Sequence, residues 1–182
     1  MSLASQKKQQ NIAEYILFVW QMEDLVRAMY FDLEAITEFV KNFTPDEVTF
    51  QEELTWFKNL IRSMKSERVE QRGHISEVHE LIFELNYLHN TMINIVKDKA
   101  YIDSYNIAQP NIQDYLLRSD GKSTNDIETC MTALYGLLVL RLKKEPVSDE
   151  TVSAIQTFSQ LLARLSDHYK KMKTGELNFS LN

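Results

Sequence analysis

Four residues near the start of the chain make the first arrangement that could bind a partner. They are Trp20, Asp24, Arg27 and Phe31, at steps of four, three and four residues. On a helix this spacing places them on one side. An arginine beside a carboxylate and between two large aromatic rings is typical of an interface anchor. The pattern predicts a homodimer interface or a ligand pocket; the alternative is that another helix of the same chain covers this side.

A histidine and a tyrosine-rich segment make the second arrangement. His89 falls within a run of apolar residues at helical spacing, where it could act as a base or ligand. No residue at metal-ligand spacing accompanies it, which favours a core histidine bonded to a neighbour. Tyr101, Tyr105 and Tyr115 follow, and tyrosines in a long connection predict a ligand cavity. The alternative is a loop packed by its rings over the end of the helices.

Several kinds of chemistry have no matching motif in the sequence. The four glycines stand far apart, which excludes phosphate-binding glycine loops. His79 and Glu80 begin a zinc-protease motif, but Phe83 stands where its second histidine is required. No glutamate lies three residues before any histidine, which excludes the ferritin-like metal pattern. We therefore predict no catalytic, cofactor-binding or metal-binding residue, although catalytic groups at scattered positions leave an enzyme open.

Composition and net charge limit the cellular location and the classes of partner that we expect for this chain. The net charge of −6 disfavours nucleic acid as a partner, and no apolar run is long enough to cross a membrane. Cys130 is the only cysteine, so an internal disulfide is excluded and a cytoplasmic, reducing location is predicted. No signal peptide is predicted either. Arg141, on a very apolar helix, is interpreted as reaching past the helix end or pairing with a carboxylate, and a role in holding an anionic ligand stays open.

The elements that must position these residues are helices, because only three prolines and four glycines interrupt 182 residues. Apolar spacing predicts a first helix over about 6–42, a second that Thr44 caps and that ends at Gly73, and a third over about 75–97. Residues 100–122 interrupt the pattern with a short helix from Pro110 to Leu117 and a turn at 119–121. Two more helices are predicted, at 127–142 after an Asn125 cap and from Ser148 to about Gly175.

Together these patterns predict an all-α fold, an antiparallel bundle of about five long helices and one short helix. Residues 1–182 are predicted to form a single domain with a frayed tail at 175–182. The stretch from Asn11 to Ala28, NIAEYILFVWQMEDLVRA, resembles the opening of an uncharacterised family of bacterial helical proteins, a domain of unknown function. The resemblance implies a bacterial, intracellular helical protein and assigns no activity, cofactor or site residue.

Two hypotheses about function follow. The first is a non-enzymatic interaction protein that self-associates through the Trp20–Phe31 side of the first helix. The second is a small-molecule binder or enzyme, with a cavity between helices near His89 and the segment from Tyr101 to Tyr115.

Overall fold

The computed structural model describes residues 1–119 and 123–176, and every regular element in these ranges is helical. The eight α-helices are α1 (Leu3–Gln10), α2 (Ile12–Ala28), α3 (Leu33–Phe43), α4 (Glu47–Ser66), α5 (Ser76–Thr91), α6 (Lys99–Arg118), α7 (Asp126–Leu142) and α8 (Asp149–Thr174). A π-helical turn, Met92–Val96, continues α5. The prediction of an all-α fold is confirmed. None of the described helices has the length and apolar character needed to cross a membrane.

The helices divide into two compact units, and the boundary between Leu81 and Ile82 falls within α5. Each unit has fully buried apolar side chains of its own. In the first unit they include Ile16, Val26, Ile36, Val40, Phe57 and Met64; in the second they include Leu85, Met92, Ile112, Ile127, Met131, Phe158 and Leu165. Burial of this apolar surface is the main stabilising contribution to each unit. The prediction of a single domain stays a prediction.

The predicted first helix is wrong, because three helices occupy its span. Asn11 is extended and ends α1, and its side chain accepts hydrogen bonds from the backbone N–H groups of Ala13 and Glu14 at the start of α2. A second break follows α2, where Tyr30 and Phe31 both have positive φ angles. Asp32 then caps α3. The apolar stripe runs on across both breaks, so periodicity alone gave one long helix.

The second helix also differs from its prediction at both ends. Asp46, and not Thr44, caps α4: its carboxylate accepts hydrogen bonds from the backbone N–H and the hydroxyl of Thr49, at 2.9 Å each. These bonds lower the pKa of Asp46. Thr44 instead donates to the carbonyl of Val40 at the end of α3. At the other end, α4 stops at Ser66, and Gly73 lies within the loop at 67–75 with a φ of 88°.

The tyrosine-rich segment is helical, which corrects its prediction as an interruption with a short helix opened by Pro110. Asp98 caps α6 through the N–H of Tyr101, and the helix continues through Pro110 to Arg118. A proline inside a helix costs about 3 kcal/mol. Burial of Tyr101, Ala108 and Ile112 along one side of α6 offsets that cost.

The ends of the last helices agree with prediction. Asn125 caps α7, Ser148 caps α8, and α8 ends at Gly175, whose φ of 75° suits glycine. The third predicted helix is confirmed as α5 followed by the π-helical turn, which ends before Lys97. The predicted turn at 119–121 lies partly, and the predicted tail at 175–182 mostly, outside the described residues.

Candidate functional site

Three of the four predicted ligand residues meet in the second unit. Nδ1 of His89 and the hydroxyl of Tyr101 share a hydrogen bond of 2.8 Å, and both side chains are buried. The ring of Tyr105 meets the His89 ring edge-on, with centroids 4.8 Å apart. The Tyr105 hydroxyl donates to a carboxylate oxygen of Asp126 at 2.6 Å. Residues of α5, α6 and α7 thus form one histidine–tyrosine network.

Burial favours the uncharged forms of the histidine, tyrosine and cysteine side chains near Asp126. It lowers the pKa of His89 from its ordinary value, and the charge of Asp126 opposes this shift. Burial raises the pKa of Tyr101, Tyr105 and the Cys130 thiol far above neutrality. Neutral tyrosines and a protonated thiol are poor nucleophiles. The hydrogen bonds and ring contacts of the network join residues of α5, α6 and α7.

His168 of α8 extends this arrangement, and the sequence patterns did not identify it as a site residue. The ring of Tyr101 lies edge-on to His168 with centroids 5.8 Å apart, and Nε2 of His168 lies 3.8 Å from Asp98. Nδ1 of His168 is buried and has no hydrogen-bond partner within the described part of the chain. Burial lowers the pKa of His168. The sequence signal that could have placed His168 near the interior was its position three residues after Leu165, which belongs to the apolar stripe of the last helix.

Tyr115, the fourth predicted ligand residue, lies apart from the network. It lines a groove of about 680 Å³ between α6 and α8, and its ring meets Phe158 edge-on at 6.4 Å. The amide of Asn111 donates to the Thr157 hydroxyl across the same groove. The guanidinium of Arg118, at the rim, pairs with Asp114 at 3.0 Å. Arg141 is exposed in the last turn of α7.

In the first unit, the predicted interface residues of α2 hold the loop at 67–75. Trp20 is only 4% exposed and stacks on His74, with ring centroids 4.6 Å apart. Arg27 donates to the carbonyls of Val69 and Gly73 and pairs with Asp24 at 2.8 Å. Trp20 is thus covered by its own chain, as is part of Arg27.

Glu23 completes this contact, and the sequence patterns did not identify it as a site residue. Its fully buried carboxylate accepts the backbone N–H of Ile75 at 2.9 Å and shares a hydrogen bond of 2.5 Å with Nδ1 of His74. The signal was its spacing of four residues from Arg27. Phe31, the last predicted interface residue, is half-buried, and the Lys65 ammonium lies 5.6 Å from its ring centroid.

A pair of exposed aromatic residues on α5 was not predicted as a site. Phe83 is 72% exposed and Tyr87 is 68% exposed, four residues apart on one side of the helix. Their spacing makes them neighbours on the helix surface, and contiguous exposed apolar side chains are candidates for a contact surface.

Residues 1–119 and 123–176 contain no group of three or more histidine, cysteine, aspartate or glutamate residues that could hold a metal ion.

Comparison with known proteins identifies the family of the chain. A family model described as a domain of unknown function (DUF4924) matches residues 1–176. No curated protein and no solved structure matches the chain. The predicted resemblance to a family of unknown function is confirmed, and the bacterial origin stays a prediction.

Proposed function

We propose that this chain, which belongs to the DUF4924 family, is a non-enzymatic interaction protein that self-associates. The observation that carries the proposal is the exposed pair Phe83 and Tyr87 on α5. Self-association was predicted through Trp20, Asp24, Arg27 and Phe31, but Trp20 and Arg27 contact the chain's own loop at 67–75. The proposed contact surface is therefore the α5 face.

A second copy of the chain fits this face because its polar groups complement each other. Asn90 is exposed on the same side, and its amide nitrogen donates to the carbonyl of Asn86, which leaves its side-chain oxygen as an acceptor. Within the described residues, the Tyr87 hydroxyl has no hydrogen-bond partner. If two α5 helices pair antiparallel about a two-fold axis, each Tyr87 lies across from Asn90 of the other copy. Each hydroxyl can then donate to an asparagine oxygen while the aromatic rings are covered.

Sedimentation velocity over a concentration series tests the proposal. Such a small contact resembles transient interfaces below about 1,200 Å², so we expect a reversible monomer–dimer equilibrium. The double variant Phe83→Glu/Tyr87→Glu should stay monomeric, because it removes both aromatic rings and the Tyr87 hydroxyl donor and places carboxylates in a contact that excludes water. Val48→Glu is the matched control, since Val48 is 70% exposed on another helix. A wild-type monomer at every concentration, or an equal effect of Val48→Glu, contradicts the proposal.

The groove at Tyr115 favours a second candidate function, the binding of a small molecule. Its volume of about 680 Å³ is in the range of ligand pockets, and Tyr115 and Phe158 supply an aromatic surface. Ligand-screening NMR would test it: binders should shift the amide signals at 111–118 and 150–158, and Tyr115→Ala should abolish the shifts. Shifts that leave these residues untouched count against this function.

The proposal includes the cellular location and the partners that the sequence predicts. It places the protein in the bacterial cytoplasm, with a helical protein partner or a second copy and without nucleic acid. An antiparallel arrangement of consecutive helices serves as the scaffold. The resemblance of the opening segment and the presence of a single cysteine support this setting.

A further inference from the structure

We propose that a recess in the first unit, between α2 and α4, is a binding site for a primary ammonium group. In this structure the ammonium of Lys8, from α1, pairs with the Glu77 carboxylate at the edge of the recess. The inference is independent of self-association through α5. It assigns a ligand class, small primary amines with a short polar body, to a site that the sequence did not reveal.

The contacts of Lys8 show what the site recognises. Its ammonium donates to Oε1 of Glu77 at 2.6 Å and lies 5.2 Å from the centroid of the Tyr15 ring. The Tyr15 hydroxyl donates to the same carboxylate oxygen at 3.0 Å. A carboxylate beside an aromatic face is the usual environment of a bound ammonium. Burial and the charge of Glu77 raise the pKa of Tyr15, so its hydroxyl stays a donor.

The recess has space beyond the Lys8 ammonium. Its volume is about 290 Å³, and it is lined by side chains of α1, α2 and α4 together with Ile75 and Glu77. Asn59 and Ser63 of α4 bring an amide and a hydroxyl to the lining, and the Trp56 side chain hydrogen-bonds the Tyr15 hydroxyl. An amine that carries a hydroxyl on a short chain would match this polar lining better than a purely apolar amine.

Lys8 can leave the site at little cost, because α1 is held mainly through polar contacts. Ala4 is the only residue of α1 that is buried. Its remaining contacts include the N–H of Leu3 on the carboxylate of Glu53 and the Lys8–Glu77 pair itself. The side chains of that pair are 47% and 44% exposed, and exposed ion pairs are weak. A free amine can therefore compete with the tethered lysine.

The test compares two neighbouring lysines with 4-amino-1-butanol as the probe. Lys8→Met removes the ammonium that competes for Glu77. Lys7→Met is the matched control, because Lys7 also pairs with a glutamate, Glu14 at 3.5 Å, and lies 5.9 Å from the Phe18 ring. We measure backbone amide shifts by NMR at constant pH and salt. Lys8→Met should bind the amine about 1.4- to 5-fold more tightly than wild type or Lys7→Met, the range that corresponds to the strength of an exposed ion pair.

Two further samples make the test decisive. Lys8→Met/Glu77→Gln should lose the binding, and 1,4-butanediol, which lacks the amine, should not bind Lys8→Met. Lys8→Ala repeats the test should Lys8→Met fold poorly by circular dichroism. Equal affinities of Lys8→Met and wild type, retention of binding without Glu77, or an equal response to 1,4-butanediol overturns the proposal. Sedimentation of Lys8→Met, which leaves α5 intact, reports separately on self-association.

Discussion

At the scale of single residues, His89 links the buried network to pH. Its folded-state pKa lies below the ordinary value because burial disfavours the charged ring. As the pH falls through about 6.5, the unfolded chain takes up a proton that folded His89 does not. Stability from this residue is therefore complete above that pH and is lost as the pH falls toward the folded-state pKa. His168, whose pKa burial also lowers, acts in the same direction.

We expect His89→Gln to flatten the pH dependence of stability. Between pH 7 and 5, one such histidine contributes a slope of at most about 1.4 kcal/mol per pH unit to the free energy of unfolding. Urea unfolding at a series of pH values measures the slope. The matched control is His79→Gln, which removes an exposed histidine and should leave the slope of the wild type. A slope unchanged in His89→Gln would mean that His89 is not held neutral by the fold.

Arg27 is the second residue whose role can be measured alone. Nη2 of its guanidinium donates to the carbonyls of Val69 and Gly73 while Nη1 pairs with Asp24, and the single ammonium nitrogen of a lysine cannot occupy both positions. We expect Arg27→Lys to lower the free energy of unfolding by about 1–2 kcal/mol. Asp24→Asn, which removes the exposed partner of Arg27, should change it by about 0.5 kcal/mol or less. Chemical denaturation compares the two; equal losses would mean that the ion pair, and not the loop contact, stabilises this unit.

At the scale of helices, the sequence predicted those ends at which a capping residue coincides with a break in apolar periodicity. Asn125, Ser148 and Gly175 are of this kind. Asn11 and Asp32 cap their helices just as well, but the apolar stripe continues past them, and so both breaks were missed. For the site, the sequence analysis named His89, Tyr101 and Tyr105 but predicted no helix at the two tyrosines. Both tyrosines contact His89 because they lie one helical turn apart on α6. The loop that covers Trp20 has no periodic pattern from which its course could be predicted.

The corner between α2 and α3 offers a direct test of how this element is built. Tyr30 is 91% exposed and has a φ of 52°, so its side chain adds strain and little packing. Tyr30→Gly should raise the free energy of unfolding by about 0.5–1 kcal/mol. Glycine relieves the strain of the left-handed backbone, and the greater conformational entropy of glycine in the unfolded chain offsets part of that gain. Tyr30→Ala keeps the β-carbon and should stay near the wild type. If both variants stabilise equally, the effect comes from loss of the ring and not from the backbone.

At the scale of the whole molecule, the two tryptophans allow the two compact units to be followed separately. Both Trp20 and Trp56 lie in the first unit, residues 1–81, whereas helices of both units contribute to far-ultraviolet circular dichroism. If the units unfold independently, the fluorescence transition reports the first unit alone and need not coincide with the dichroism transition. A single cooperative domain, as the sequence predicted, requires the two transitions to coincide.

Two truncations of core side chains decide between these outcomes. Phe57 and Leu165 are fully buried, one in each unit, and removing either side chain should cost about 2–5 kcal/mol in its own unit. For independent units, Phe57→Ala moves the fluorescence midpoint in urea to lower concentration. Leu165→Ala leaves that midpoint unchanged and shifts only part of the dichroism curve. A fluorescence midpoint that moves as far in Leu165→Ala as in Phe57→Ala shows instead that the units unfold together, because destabilising the second unit then destabilises the environment of both tryptophans.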